Sequence, residues 1–226
     1  MTYKCQYCEK EFRRESTLTA HLCEQKRRWQ QEHDTGVQFG LRAYLQFYET
    51  TQGTAKLKSY ADFVASPYYS AFVKYGNHSV AIRSINHRSF TDWLLKNNKK
   101  LDQWCKDSFY EEWLYEYIRR ESLQDALERG LKEMELFADR GNNSASFSDY
   151  FKHGNTSRIC HHIITGRISP WIVYNCDSGV DWLASLGEEH LVLVMSWIDP
   201  DFWSRKFKDY LADSEWCKHI LKEAGL

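Results

Sequence analysis

Along residues 36–53, GVQFGLRAYLQFYETTQG, the apolar side chains Val37, Leu41, Tyr44, Leu45 and Tyr48 recur every three or four positions. That is the helical period, and it predicts an amphipathic helix with one buried face. Ser66-Pro67 reads as an N-cap followed by proline at the first helical position, with Tyr68, Phe72 and Tyr75 as the stripe beyond it. Asp107 opens a segment in which Phe109, Trp113 and Tyr117 are spaced by four. Ser122 and Asp125 form a capping box with Asp in place of Glu, ahead of a line of Leu123, Leu127, Leu131 and Met134. Asp177 and Asp213 read as further N-caps, and Asp199-Pro200 repeats the cap-then-proline device. The apolar run HLVLVMSWI could pair as a strand only with Trp171–Tyr174. A two-stranded pair is marginal alone, so the run reads as a buried helix. The pattern predicts a mainly α protein whose body is a compact bundle of roughly ten helices.

The first 30 residues break this pattern. Cys5 and Cys8 are two residues apart in the middle, and His21 follows Cys8 after twelve more. A C-x2-C turn presents two thiolates to one ion. Phe12 and Leu18 are the apolar residues between the cysteines and the histidine. In spacing and type, Tyr3–His21 resembles the finger of the two-cysteine, two-histidine zinc-finger family, and FRRESTLTAH resembles its helix. The resemblance implies a ββα module folded around Zn2+. So small a module cannot bury enough apolar surface to fold alone, and metal binding supplies the difference.

The fourth ligand departs from that family. Its second histidine follows the first after three to five residues, a spacing that falls here on Gln25, Lys26 and Arg27. The nearest candidate is Cys23, with only Leu22 between it and His21. On a continuous helix those two side chains would lie about 200° apart. A site built from Cys5, Cys8, His21 and Cys23 therefore requires the backbone to leave α geometry at His21-Leu22, in a kink or 3₁₀ turn, and start a new helix after it. His33 follows His21 only after eleven intervening residues, and a three-ligand site completed by water is the remaining alternative.

By resemblance, the finger's base-reading positions fall on Arg14, Thr17 and Ala20. Arg14 suits guanine, and Arg13 adds a cation beside it. Lys26-Arg27-Arg28-Trp29 follows as the densest basic cluster, three cations and an aromatic suited to tracking phosphates and stacking a base. Residues 1–33 hold seven Lys/Arg against five Asp/Glu, whereas the whole chain has a net charge of −1, so any basic surface is local.

Composition limits the rest. Nine Trp, fourteen Tyr and twelve Phe in 226 residues supply a large core, and three Pro with eleven Gly argue against a sandwich or barrel. No apolar run is long enough for a membrane helix, and the start MTYKCQYCEK has no signal-peptide core, so the expected location is the cytoplasm. The division expected is 1–33, the finger with a basic helical extension, and 34–226, an all-α body with a possible internal boundary at 141–145. Through phrases such as SPYYSAFVKYG and TGRISPWIVYNC the body resembles uncharacterised zinc-finger proteins of T-even-like tailed bacteriophages, which implies a host cytoplasm but no activity.

Catalytic signatures are scarce. Phosphate-cradling glycine loops, H-E-x-x-H and G-x-S-x-G are missing from the sequence. Cys160-His161-His162 has metal-ligating side chains, but adjacent helical residues diverge by about 100°, which favours packed roles. Glu112 and Glu116 share a face and read as surface ion-pair partners of the nearby arginines. The loop 152–158 suits an anion if it opens a helix. The expectation is a non-enzymatic zinc-finger accessory protein that binds DNA, or RNA, and acts with a replication or transcription protein. The alternative is a protein-interaction adaptor whose finger is a docking module.

Overall fold

The computed structural model describes residues 2–53, 57–140 and 146–226. The possible break at 141–145 lies outside the described residues. The chain forms two units, Met1–Tyr110 and Glu111–Leu226. The protein is mainly α, with fifteen α-helices and one small sheet among the described residues. The excess over roughly ten comes from pieces of four to six residues, too short to show a period.

The first unit opens with β1 (Tyr3–Lys4) and β2 (Glu11–Phe12), antiparallel with Tyr3 opposite Phe12. Then come α1 (Glu15–Ala20), α2 (Glu24–Gln30), α3 (Thr35–Gln52), α4 (Tyr60–Ala65), α5 (Tyr69–Ala81) and α6 (His87–Lys96). The core is aromatic: the Tyr44 ring lies 5.0 Å from Phe63 and 5.5 Å from Phe72, and Trp104 meets both Phe72 and Tyr75. The buried hydroxyl groups of Tyr75 and Thr91 pair at 3.0 Å, which satisfies both inside this apolar cluster.

Backbone proximity rather than side-chain bulk joins α3 to α5. A Cβ on Gly76 would stand 1.9 Å from the Gly36 carbonyl oxygen, and one on Gly40 2.6 Å from that of Phe72. Contacts on α5 run backward from Asn77 to Phe72 as α3 advances from Gly36 to Gly40, so the helices are antiparallel. The predicted face is therefore shifted. Val37 and Tyr44 are buried as expected, alongside Gly36, Gly40 and Ala43, whereas Leu41, Leu45 and Tyr48 are only half-buried.

α5 begins two residues later than Ser66-Pro67 implies. Ser66 ends α4, and its hydroxyl accepts the Tyr68 amide at 3.1 Å, so the turn through Pro67 puts Tyr69 in the core and Tyr68 in solvent.

Between Tyr110 and Glu111 the unit boundary falls inside α7 (Asp107–Arg120). The second unit continues with α8 (Leu123–Arg140), α9 (Tyr150–His153), α10 (Thr156–Ile164), α11 (Pro170–Asn175), α12 (Asp177–Ala184), α13 (Glu188–Met195), α14 (Pro200–Asp209) and α15 (Leu211–Glu223). Trp171 on α11 anchors this core, 5.1 Å from Phe207 and 6.1 Å from Trp203.

Ser122 caps α8 through the Asp125 amide at 3.1 Å, and Asp199 caps α14 through the amides of Asp201 and Phe202. The cap of α12 is Cys176 rather than Asp177, and Asp213 lies inside the first turn of α15. The run at 190–198 is helical as far as Met195 and only partly buried: Val194 and Ile198 face inward while Val192 and Leu193 are exposed. Apolar residues at five successive positions have no period, and one helix can offer only one stripe to a core. Among the described residues no helix is long and apolar enough to cross a membrane.

Alanine at position 76 of α5 would ordinarily stabilise a helix by about 1 kcal/mol. Here the close backbone approach reverses the sign. Gly76→Ala should lower the urea-unfolding free energy by about 2 kcal/mol or more.

Candidate metal centre

Four residues from four neighbouring segments converge at the amino end of the first unit. Cys5 follows β1, and the hairpin turn carries Cys8 back toward it. Two backbone bonds hold that turn, Cys5 N–H to the Lys10 carbonyl and Glu9 N–H to the Cys5 carbonyl, each 2.9 Å. His21 follows the last residue of α1, where Phe12 packs on its ring with centroids 4.7 Å apart. Cys23 precedes α2.

The helix breaks where the spacing demands it. His21 has φ −72° and ψ 120°, and Cys23 has φ −83° and ψ 166°, both extended. The extended pair turns Cys23 back to the side occupied by His21. α2 then starts at Glu24, with the Cys23 sulfur accepting the Lys26 amide at 3.4 Å. The Lys26 ammonium reaches back 3.3 Å to the His21 carbonyl, one of those α1 leaves unpaired.

The ligand atoms of Cys5, Cys8, His21 and Cys23 all lie within 4.8 Å of one another. A tetrahedral ion with metal–sulfur bonds of about 2.3 Å and metal–nitrogen bonds of about 2.0 Å sets sulfur–sulfur edges near ~3.8 Å and sulfur–nitrogen edges near ~3.5 Å. The Cys5–Cys23 sulfur pair is 4.0 Å apart, and the Cys8 sulfur is 3.2 Å from His21 Nε2. A disulfide would need about 2.05 Å, and all seven cysteines are free. The cluster can hold a metal ion.

The thiols also conflict electrostatically. The Cys8 amide, with smaller help from that of Tyr7, draws Cys5 below the ordinary thiol range. At Cys8 the Lys10 amide pulls downward, but desolvation and the neighbouring Cys23 and Cys5 outweigh it and the thiol is raised. Three thiolates gathered this closely would need a cation among them.

His33 is exposed and outside this cluster. Arg13, Arg14 and Thr17 are exposed on and just ahead of α1, Arg14 as its N-cap, and Arg27 is exposed on α2. Arg28 and Trp29 are held by the chain itself. Arg28 donates to the Val64 carbonyl at 2.6 Å, pairs with Glu24 and lies over the Tyr69 ring. Trp29 meets Tyr60 edge-on at 5.1 Å, and the Tyr60 hydroxyl donates to the Arg28 carbonyl. The partners in this docking, Tyr60, Val64 and Tyr69, lie more than thirty residues downstream and leave no local sign of the contact in the sequence.

The other candidates have structural roles. Cys160 and His162 are buried and His161 is exposed, so they do not converge. His162 Nδ1 is 2.6 Å from the Tyr150 hydroxyl, and burial pushes its pKa down to about 4, which keeps it neutral. Glu116 lies 3.9 Å from Arg120 on the surface. The loop at 152–158 does open a helix, α10, whose first-turn amide at Arg158 is taken by the Asn155 side chain at 3.0 Å.

Compared with protein-family models, curated proteins and solved structures, the chain gives no significant match. The finger resemblance therefore stands on its residues and their geometry, and the bacteriophage resemblance has no support from relatives.

Cys23→Ala should weaken metal binding more than about 100-fold in a chelator competition, since loss of even an outer partner costs 10–100-fold. His33→Ala and Cys105→Ser should leave it unchanged.

Proposed function

We propose that the protein is a zinc-dependent nucleic-acid-binding accessory protein whose amino-terminal finger contacts DNA. Zinc suits three thiolates and one imidazole in a closed four-ligand set, the pattern of structural rather than catalytic sites. The observation that carries the reading is the exposure of Arg13, Arg14, Thr17 and Arg27 around a finger whose own fold does not use them. Arg14 at the start of α1 occupies the position from which a finger reads guanine. Arg28 and Trp29 contribute indirectly, by fixing α2 against α4 and so holding the finger steady.

A single finger covers about three base pairs, too few to select a site. The reading therefore includes a second source of affinity, a partner in the replication or transcription machinery, and assigns no catalytic step to the chain. The adaptor reading has its own support in exposed Leu22 beside the ligands and exposed Val192 and Leu193 on α13.

The test is duplex binding by fluorescence anisotropy across a salt series. Arg27→Ala should weaken binding uniformly across sequences and reduce the log–log salt slope by about one, and Arg14→Ala should also relax sequence preference. Unchanged binding in both variants, or none to the intact protein at low salt, would leave the adaptor reading.

A further inference from the structure

The second unit contains a cleft of about 870 Å3, within the usual range for ligand sites of roughly 300–1,000 Å3. One face of α14 and the start of α15 supply much of it. Phe202, Arg205, Lys206, Asp209 and Tyr210 follow helical spacing, and Trp216 stands one turn after Asp213. The end of α7 completes the basic side with Arg119 and Arg120.

Several of these groups serve the fold. The Arg119 guanidinium lies 3.5 Å from the Tyr115 ring centroid and donates to the Ser196 carbonyl. Lys206 donates to the Arg119 carbonyl and sits among the rings of Trp171, Trp203 and Tyr210. Glu121 is bound by Arg129 at 2.7 Å and by the Ser169 hydroxyl at 2.8 Å.

What remains is only lightly committed to the fold. Arg205 commits its Nε to the Asp201 carbonyl, which orients the guanidinium but occupies only one of its donors. Arg120 makes only a long surface contact with Glu116, 3.9 Å, and its side chain is 80% exposed. Trp216 is 49% and Tyr210 54% exposed, large ring surfaces left in water. Trp171 also lines the cleft, and its buried indole N–H has no acceptor among the described residues. Buried donors are nearly always satisfied, and this one is free to donate to a ligand seated in the cleft. With Glu121 set against Arg129 and Arg120 facing Glu116, the further cations Arg119, Arg205 and Lys206 line the cleft against Asp209 and Asp213.

We propose that this cleft binds a nucleotide, with Trp216 and Tyr210 offering stacking surfaces to the base and Arg120 and Arg205 holding the phosphate. A nucleotide joins a planar ring, an anion and hydrogen-bond acceptors in one ligand. An acidic peptide would leave the exposed ring faces without a partner. The site is independent of the finger and goes beyond its proposed role.

The nucleotide is either free or part of a single strand, and calorimetry on the full-length, metal-loaded protein separates the two. Adenosine 5′-monophosphate, adenosine, inorganic phosphate and a ten-residue oligothymidylate are titrated in turn. Adenosine 5′-monophosphate should bind more tightly than adenosine or phosphate. Trp216→Ala should weaken it about tenfold, in line with stacking on one aromatic. Arg205→Ala should also weaken it about tenfold while sparing adenosine, with Arg205→Lys partly restoring affinity. Both positions lie on the helix surface, and circular dichroism checks that the variants fold.

Binding of the oligomer alone, lost in Trp216→Ala and kept in Arg14→Ala, would assign the cleft to a strand. No binding of any probe would overturn the proposal. So would affinities that neither variant changes, displacement of the nucleotide by a polyglutamate peptide at equal concentration, or oligomer binding lost only in Arg14→Ala.

Discussion

The sulfur of Cys23 does two jobs, and the amino-terminal region depends on their coincidence. It is one of four ligand atoms gathered within 4.8 Å, and it accepts the amide that caps α2. A single intervening residue after His21 cannot be accommodated on a helix. The chain must extend through His21-Leu22-Cys23, and that extension both closes the ligand set and sets the direction of the next helix. Metal binding and the start of α2 are thus one structural event. In a finger whose second histidine lies on the same helix, the ion and the following segment are not tied in this way.

The consequence reaches the body of the first unit. α2 leaves the metal site with Arg28 and Trp29 facing Val64, Tyr69 and Tyr60 on or near α4 and α5. The cluster that looks most like a phosphate-binding strip is divided. Two of its members anchor the helix, Lys26 closes the end of α1, and Arg27 remains exposed. The cations left exposed for the proposed contact are Arg13 and Arg14, just ahead of the finger helix, and Arg27. A finger held this way presents its helix from a fixed base, which lowers the ordering cost of an encounter.

Much of this was legible in the residues. The spacing of Cys5, Cys8 and His21, and the impossibility of Cys23 on a continuous helix, led to the ligand set and to the break at His21-Leu22. Helical period led to the mainly α body, and Ser122 and Asp199 to two of its helix starts. The rest was hidden for physical reasons. Hydrophobic patterning registers bulk, so the crossing of α3 and α5 through Gly36, Gly40 and Gly76 left no trace in it. Proline at 67 fits a turn as well as a first helical residue, and the later helix start exchanged Tyr68 for Tyr69 in the core. The uniform apolarity of 191–195 said nothing about which side would be covered. The docking of Arg28 and the cleft lined by Trp216 and Arg205 are long-range arrangements, which local pattern does not encode.

The central claim is that one ion is clasped by Cys5, Cys8, His21 and Cys23, with the backbone extended between the last two. X-ray absorption at the zinc edge on the full-length protein tests it most directly. The account predicts a four-coordinate site with three sulfurs near ~2.3 Å and one nitrogen near ~2.0 Å. A shell of two sulfurs with nitrogen or oxygen in the remaining positions would contradict it, because Cys23 would then have no part in the site and the break before α2 would lose its cause.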